Sequence, residues 1–242
     1  MTKIKLLDLC CGAGLAADGY MQAAQKLGLQ LEITGVDIKF QKNYPYTFVQ
    51  SDAVQFVAEV DWTKYDCVHA SPPCQAYSHS TAMFRNKGRK YPDILEPIQE
   101  ALKKSGLPAV LENVPAAPIR RDVVLVGYAF GLPIVKKRFF ELYNWWMLAP
   151  IMPQTSKQVK KGDFATVVGK GHKNPKHLCK VPGLTIKEKW RAALGTNRVE
   201  LSYSEMAEGF PPAYTAYIGE TLFLHVTKNC FFMRFPSEKR GF

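Results

Sequence analysis

Two short segments carry residues that could do chemistry: the first holds a thiol and the second a carboxylate. Ser71-Pro72-Pro73-Cys74-Gln75 follows one apolar run, and Glu112 opens Glu-Asn-Val after another. The two prolines stiffen the loop, because each fixes φ near about −65°. Such a thiol can act as a nucleophile, and a desolvated carboxyl can act as an acid near neutral pH. Taken singly, either segment could instead hold a buried structural thiol or a surface carboxylate.

A second group of residues has the pattern of a nucleoside site. Asp8-Leu-Cys-Cys-Gly-Ala-Gly follows the first apolar run, and glycines there let a ligand approach the backbone. Asp37 ends the second run, where a carboxylate can accept ribose hydroxyl protons, and Asp52 follows the third, where it could bind a base edge. Ala17 replaces the last glycine of the dinucleotide pattern, and no phosphate-binding cations follow. We therefore expect a nucleoside ligand that lacks pyrophosphate.

The elements that would position these residues alternate along the chain. Short apolar runs at 4–9, 33–36, 48–49, 67–70 and 110–111 are typical of strands buried on both faces. Helical patterns cover 13–27, 92–105, 190–194 and 204–208, the last with Ser202 as its N-cap. This alternation predicts a doubly wound, parallel, Rossmann-like α/β sheet. We expect a catalytic domain over 1–141, a small loop-rich lobe over 142–198, and a return to the catalytic domain over 199–242 by helix and strand.

The charge is concentrated in the predicted lobe. The chain of 242 residues has a net charge of +11, and 142–198 holds eleven Lys/Arg against Asp163 and Glu188 as its acids. Such a segment favours an acidic polymer as partner, although lysines that merely solubilise a proline-rich loop would look the same. With 47% hydrophobic residues the chain can bury a core, which excludes disorder as its dominant state.

Cysteine content and the longest apolar stretch indicate the compartment in which the protein works. Six cysteines, two of them adjacent, are too few for a disulfide scaffold and favour a reducing, intracellular compartment. We expect a soluble, monomeric, cytoplasmic protein, because Val123 to Val135 is shorter than a membrane span and is broken by glycine and proline. His172, His177 and Cys179 lack the spacing of a zinc site, so no metal is expected.

These segments, in this order, resemble the DNA cytosine-5 methyltransferases, and most closely their small phage-encoded members, some of which accompany restriction enzymes. The resemblance rests on segments spread over most of the chain: Asp8–Gly14, Gly35–Asp37, Pro72–Gln75, Glu112–Val114, Gly131–Arg138, Glu208–Pro211 and Ile218-Gly219. The pair Pro-Pro-Cys-Gln and Glu-Asn-Val at this separation is highly specific. The joint match favours the functional over the structural interpretation of each segment.

The resemblance implies a reaction and a role for each matched residue. Cys74 would add to C6 of a cytosine flipped out of double-stranded DNA, with Glu112 at N3 and Arg138 holding the nucleotide and the carboxylate. The methyl donor would be S-adenosyl-L-methionine, bound by Asp8, Cys10, Gly12, Gly14, Asp37, Ile38, Asp52, Ala53, Pro72 and Glu220. The basic lobe would be the target-recognition region. DNA contacts are expected from Gln75, Ser78, Lys136, Lys170, His172, Lys173, Asn174 and Arg191.

The chain departs from the family pattern at several positions. Cys10 replaces a phenylalanine, Leu15 a glycine, and Ile134 and Lys136 stand where glutamine and a first arginine are usual. Glu220 replaces an asparagine and would place an extra carboxylate beside the cofactor, which leaves transfer of a group other than methyl open. An RNA cytosine methyltransferase stays open as well, and so does a catalytically silent nucleic-acid-binding protein on the same scaffold.

Overall fold

A seven-stranded sheet organises the part of the chain that the structure describes. The computed structural model describes residues 2–150, 165–168 and 184–234, with side chains as far as Lys228 in the last helix. The strands are β1 Lys3–Leu9, β2 Gln30–Asp37, β3 Thr47–Gln50, β4 Cys67–Ala70, β5 Ala109–Asn113, β6 Val123–Leu125 and β7 Arg138–Tyr143. The helices are α1 Leu15–Lys26, α2 Ala53–Glu59, α3 Ala82–Asn86, α4 Leu95–Ser105, α5 Ile186–Leu194, α6 Tyr203–Glu208 and α7 Pro212–Arg234.

The strand order is β3-β2-β1-β4-β5-β7-β6. The first five strands are parallel, and β7 runs antiparallel between β5 and β6. The order reverses between β1 and β4, which is where open α/β sheets bind their ligands. The predicted doubly wound α/β sheet is therefore confirmed, whereas the antiparallel pair at its edge was not predicted.

Alternate residues of the central strands face two helical layers. On one face Ile4 and Leu6 of β1 pack with α1 and α7, and on the other Leu7 and Leu9 pack with α2 and α4. The contact between α1 and α7 is close, because a Cβ on Gly19 would meet the carbonyl oxygen of Pro212 at 2.0 Å. The sheet is thus covered on both sides, and its carboxyl edge is left for the site.

A third apolar cluster joins the described parts of the basic lobe to the sheet domain. Trp190 of α5 is buried beside Leu15 at the start of α1 and Met206 of α6. Ala165 forms an isolated β-bridge with Ile134. Strand β7 runs two residues past the boundary expected at 141. The start of α1, and with it the turn that precedes α1, is therefore in contact with the described end of the lobe.

The four predicted helices are all present, and the predicted C-terminal return includes one long helix. Helix α6 begins at a capping box in which the side chains of Ser202 and Glu205 exchange hydrogen bonds with backbone amides, as the predicted N-cap requires. Residues 212–234 form one helix, and within the described range no strand follows it. No helix in the described ranges is both long and apolar enough to cross a membrane.

Candidate active site

The turn between β1 and α1 offers an open backbone position. Cys10, Gly12 and Gly14 have positive φ angles of 56°, 50° and 86°. A Cβ on Gly12 would meet nothing within 4 Å, whereas one on Gly14 would lie 3.0 Å from atoms of Tyr44 and Pro45. Gly14 is therefore needed for packing. Gly12 leaves one side of the turn open, and a ligand can approach the backbone from that side.

Three acidic residues surround this turn. The Asp37 carboxylate accepts hydrogen bonds from the backbone N–H groups of Gly12 (3.1 Å) and Lys39 (2.9 Å). Asp52 caps α2, its Oδ1 accepting from the backbone N–H groups of Val54 and Gln55. Asp8 lies beneath the turn. Burial raises the pKa of the Cys10 thiol and the charges of all three acids raise it further, so the three carboxylates share one edge of the sheet.

The predicted cofactor residues differ in how far their side chains are exposed to solvent. Asp37 and Asp52 are half-buried and Ile38 is exposed, whereas Ala53 is buried as the first residue of α2. Asp8 is fully buried, and its Oδ2 accepts a hydrogen bond from the Tyr44 hydroxyl at 3.1 Å. Its carboxyl is thus placed to support the turn from below, and burial raises its pKa to about 8.

Glu220 lies away from the turn beside which it was expected. Its carboxylate pairs with the Lys26 ammonium at 2.7 Å. Lys26 is the last residue of α1, and the Gly12–Gly14 turn precedes the first, about 18 Å away along a helix of twelve residues. The structure therefore does not bring this carboxylate to the cofactor edge, and Glu220 no longer supports transfer of a group other than methyl.

Cys74, Glu112 and Arg138 come together at the ends of β4, β5 and β7. The Arg138 guanidinium Nε lies 2.7 Å from Glu112 Oε1, and both side chains are nearly buried. Burial raises the pKa of the Cys74 thiol, Arg138 and Lys136 lower it, and Glu112 raises it. The pKa of Glu112 is likewise raised by burial and lowered by Arg138. Burial therefore opposes the charged form of both the thiol and the carboxyl, whereas Arg138 favours the charged form of each.

The loop that carries Cys74 is fixed at both ends. At its start the Asn113 side-chain amide donates to the carbonyl of Pro72 at 3.2 Å, which ties the loop to the end of β5. Further on, Arg85 donates to the carbonyls of Gln75 (2.9 Å) and Ser78 (2.7 Å). Gln75 Oε1 is buried without a hydrogen-bond partner among the described residues. The residue next to Cys74 thus holds a buried acceptor that no described residue uses.

The residues predicted to contact DNA differ in where the structure places them. The Ser78 hydroxyl caps its own turn through the backbone N–H of Ser80. Lys136 is directed inwards, and its ammonium donates to the carbonyls of Ala207 (2.9 Å), Val167 and Met206 (both 3.4 Å). That bonding does not fit the DNA contact expected of Lys136. Arg191 is half-buried in the last turn of α5. Outside the described residues lie Lys170, His172, Lys173 and Asn174.

Several residues that support the site were not predicted. Tyr44 reaches Asp8 past Gly35, where a Cβ would lie 2.5 Å from its hydroxyl. Arg198 donates to the carbonyl of Ala13 at 2.6 Å and so ties the turn to the end of the basic lobe. His69 is a fully buried histidine on β4. A polar residue inside the apolar run Cys-Val-His-Ala was the available signal for His69.

The two residue groups meet at the reversal point of the sheet. Ser71, which opens the Cys74 loop, donates its backbone N–H to the carbonyl of Leu9 at 3.0 Å. Leu9 in turn precedes the Cys10–Gly14 turn. The nucleoside-type turn and the thiol loop are therefore neighbours, as a transfer between two bound molecules requires. Among the described residues, no group of three or more His, Cys, Asp or Glu side chains could hold a metal ion.

Comparison with known proteins supports the fold. No family model matches the sequence, and no curated protein matches it. Two solved methyltransferases share the architecture over 93% of this chain and 99% of theirs. They are Entamoeba histolytica EhMeth, with a TM-score of 0.57 and 12% identity, and S. pombe Dnmt2, with a TM-score of 0.54 and 10% identity. The likeness at these identities is one of fold, and it agrees with the predicted methyltransferase sheet.

Proposed function

We propose that this protein is an S-adenosylmethionine-dependent methyltransferase that modifies C5 of cytosine in DNA. The observation that carries the proposal is the meeting of Cys74, Glu112 and Arg138 beside the Gly12–Asp37 edge of a sheet with this fold. A structural thiol needs neither a buried ion pair nor a stiffened loop next to it. In keeping with the sequence resemblance, we further propose a small, phage-type enzyme.

The residues at the turn fit the nucleoside part of the cofactor. The open side of Gly12 admits the ligand, and the Asp37 carboxylate, already held by two backbone N–H groups, is placed to accept from the ribose hydroxyls. The cap of α2 uses Oδ1 of Asp52, which leaves Oδ2 to accept from the adenine amine. When bound, S-adenosylmethionine supplies an electrophilic methyl group.

The thiol cluster fits activation of a cytosine. Cys74 Sγ gives its proton to water and forms a bond to C6, and the ring electrons move toward N3, where Glu112 supplies or holds a proton. This makes C5 nucleophilic, so C5 can take the methyl group. Loss of the C5 proton to water and breaking of the Sγ–C6 bond then release the product. Arg138 fixes the Glu112 carboxyl throughout, since it bonds to Oε1.

Substitution of the thiol tests the covalent mechanism. Cys74→Ala is expected to abolish methyl transfer, and Glu112→Gln to lower kcat by at least ~10²-fold, the scale of a positioned acid. Cys67→Ala, a buried thiol on the preceding strand, is the matched control and should stay active. A 5-fluorocytosine in the target should trap the wild-type protein covalently, because its C5 carries fluorine and therefore has no proton to lose in the last step. Full activity of Cys74→Ala would refute the mechanism.

The nucleic-acid partner needs its own test. Duplex DNA, single-stranded DNA and transfer RNA, each offered with radiolabelled cofactor, separate a DNA methyltransferase from an RNA methyltransferase. Binding without transfer to any of them would favour the silent binding protein. If the basic lobe neutralises phosphates of duplex DNA, log affinity should fall with log salt by about 0.9 per phosphate contacted. Neutralising Lys157, Lys160, Lys161, Lys170 and Lys173 together should then reduce both the affinity and the salt slope.

A further inference from the structure

The side chain of Arg198 joins segments that lie far apart in the sequence. Its Nη1 donates to the carbonyl of Ala13, in the turn between β1 and α1, at 2.6 Å and to Asp18 Oδ2 at 3.1 Å. Its Nη2 donates to the carbonyl of Asn43, in the loop between β2 and β3. Its Nε donates to Glu200 Oε1 at 2.6 Å. The side chain is only 16% exposed, so water competes little for these hydrogen bonds.

One peptide group of the turn depends on this guanidinium. The N–H of the peptide group between Ala13 and Gly14 donates to the carbonyl of Cys11 at 3.0 Å, and its C=O accepts from Arg198. The first hydrogen bond within α1 goes to the carbonyl of Gly14, so the helix offers no donor to the carbonyl of Ala13. Without Arg198, this peptide group would be held on one side only among the described residues. Gly12, which leaves the turn open to a ligand, comes directly before it.

The same guanidinium holds the loop that follows β2. The carbonyl of Asn43 accepts from Arg198, and the Asn43 side-chain amide donates to both carboxylate oxygens of Glu205 in α6, at 2.9 and 3.1 Å. The next residue, Tyr44, donates its hydroxyl to Asp8 beneath the turn at 3.1 Å. Arg198 therefore acts on the turn twice, once directly at its backbone and once through the loop that supports it from below.

We propose that Arg198 is a positioning residue for cofactor binding, which keeps the turn between β1 and α1 in the shape that the cofactor needs. All three guanidinium nitrogens already donate to groups of the protein, so Arg198 acts on the ligand through the turn and not by contact. The identity of the ligand, S-adenosylmethionine, rests on the proposed function. Because Arg198 lies in the segment that follows α5, the turn depends on a residue at the end of the basic lobe.

One variant removes the contacts with the turn, and two controls keep them. Arg198→Met keeps the aliphatic stem and removes every donor. Asp18→Asn, the matched control, breaks the ion pair at 3.1 Å and leaves the donors to both backbone carbonyls in place. Arg120→Met breaks an ion pair of 2.9 Å with the buried Glu141 on β7, three strands away from β1. Both controls therefore lose an ion pair but no contact with the turn.

Cofactor affinity is the first readout, with S-adenosylhomocysteine as the probe in calorimetry. Arg198→Met should weaken binding at least ~10-fold, because the turn loses hydrogen bonds that a charged group donates. Asp18→Asn and Arg120→Met should bind within about twofold of the wild type, since neither removes a contact of the turn. Unchanged affinity in Arg198→Met overturns the proposal. An equal loss in either control does so too, because the affinity would then follow the stability of the whole fold.

Hydrogen exchange of the turn is the second readout and needs no ligand. The Gly14 amide should exchange at least ~10-fold faster in Arg198→Met and more than the amides of β5, because the turn opens locally. A merely structural loss of stability would accelerate both alike, and that result would count against the proposal. A wild-type protein that binds no S-adenosylhomocysteine would refute the proposed cofactor, while the exchange of Gly14 would still decide the role of Arg198.

Arg198→Lys keeps the test decisive if Arg198→Met does not fold. The lysine keeps a positive charge for Asp18 and Glu200, but its ammonium lacks the planar fork that reaches two carboxylates and two carbonyls at once. We expect it to weaken binding of S-adenosylhomocysteine at least ~3-fold and to accelerate exchange at Gly14. Wild-type affinity together with wild-type exchange in Arg198→Lys would show that charge alone suffices, and the positioning role would be wrong.

Discussion

Substitution of Asp8 by Asn should remove a large part of the pH dependence of folding. The Asp8 carboxyl is fully buried beneath the turn, and its Oδ1 has no hydrogen-bond partner among the described residues. Burial raises its pKa from 3.8 to about 8, the Tyr44 hydroxyl opposes the rise, and the charges of Asp37 and Asp18 add to it. The folded protein therefore holds a proton at Asp8 that the unfolded chain releases near pH 4.

The sign of the effect follows from that difference. A carboxyl with a raised folded pKa stabilises the fold below its unfolded pKa, and that stability is lost as pH rises through the folded pKa. With a folded pKa of about 8, the free energy of unfolding should fall by about 2 to 3 kcal/mol between pH 6 and pH 9 from this group alone. The Asn amide is neutral at every pH, so Asp8→Asn should lack this term.

Urea denaturation at pH 6, 7, 8 and 9, followed by tryptophan fluorescence, measures the effect. Unfolded cysteines also ionise near pH 8.5, but they do so equally in both proteins and cancel in the difference. Glu59→Gln, which neutralises an exposed carboxylate at the end of α2, is the control and should parallel the wild type. Parallel curves for wild type and Asp8→Asn over this range would show that Asp8 is already ionised in the fold and would refute the reasoning.

Four further substitutions test the cofactor edge. Gly14→Ala should cost about 1–3 kcal/mol of stability, since its φ is +86° and the new methyl group would meet Tyr44. Gly12→Ala should cost about 1–2 kcal/mol from its φ of +50° alone, and it should also reduce cofactor affinity, because the new methyl group would occupy the open side of the turn; chemical denaturation and calorimetry measure the two effects. Asp37→Ala should weaken S-adenosylhomocysteine binding at least ~10-fold by calorimetry, with nucleic-acid affinity unchanged. Glu220→Ala should leave that cofactor affinity within about twofold and cost at most about 1 kcal/mol, because its partner Lys26 is exposed at the far end of α1; a large loss of affinity would contradict the placement of Glu220.

The central strands could be predicted from sequence because each is buried on both faces. Apolar runs such as Cys67–Ala70 can be identified as strands without knowing which strands they pair with. Their alternation with helices predicts a parallel sheet. Strands β6 and β7 were not predicted. The antiparallel position of β7 between β5 and β6 depends on which edge of the sheet is free for pairing, and the local sequence does not show that. The length of α7 was not predicted, because that helix depends on close packing against α1, which is distant in the sequence. A Cβ on Gly219 would lie 2.9 Å from Ala23 and Tyr20, and no local pattern reveals that contact.

Lys136 shows why residue type and position did not suffice for the site. Its place in the chain, two residues before Arg138, indicated a cation at the nucleic-acid surface. A φ of +28° instead accompanies a side chain that bonds to backbone carbonyls of Val167, Met206 and Ala207. These acceptors come from the basic lobe and from α6, so the Lys136 side chain ties both to the segment that precedes β7. Burial lowers the pKa of this amine, and the carbonyl oxygens can bond to its N–H groups whether or not it carries the extra proton. Arg138 is thus the cation that pairs with Glu112, while Lys136 hydrogen-bonds to the lobe and to α6.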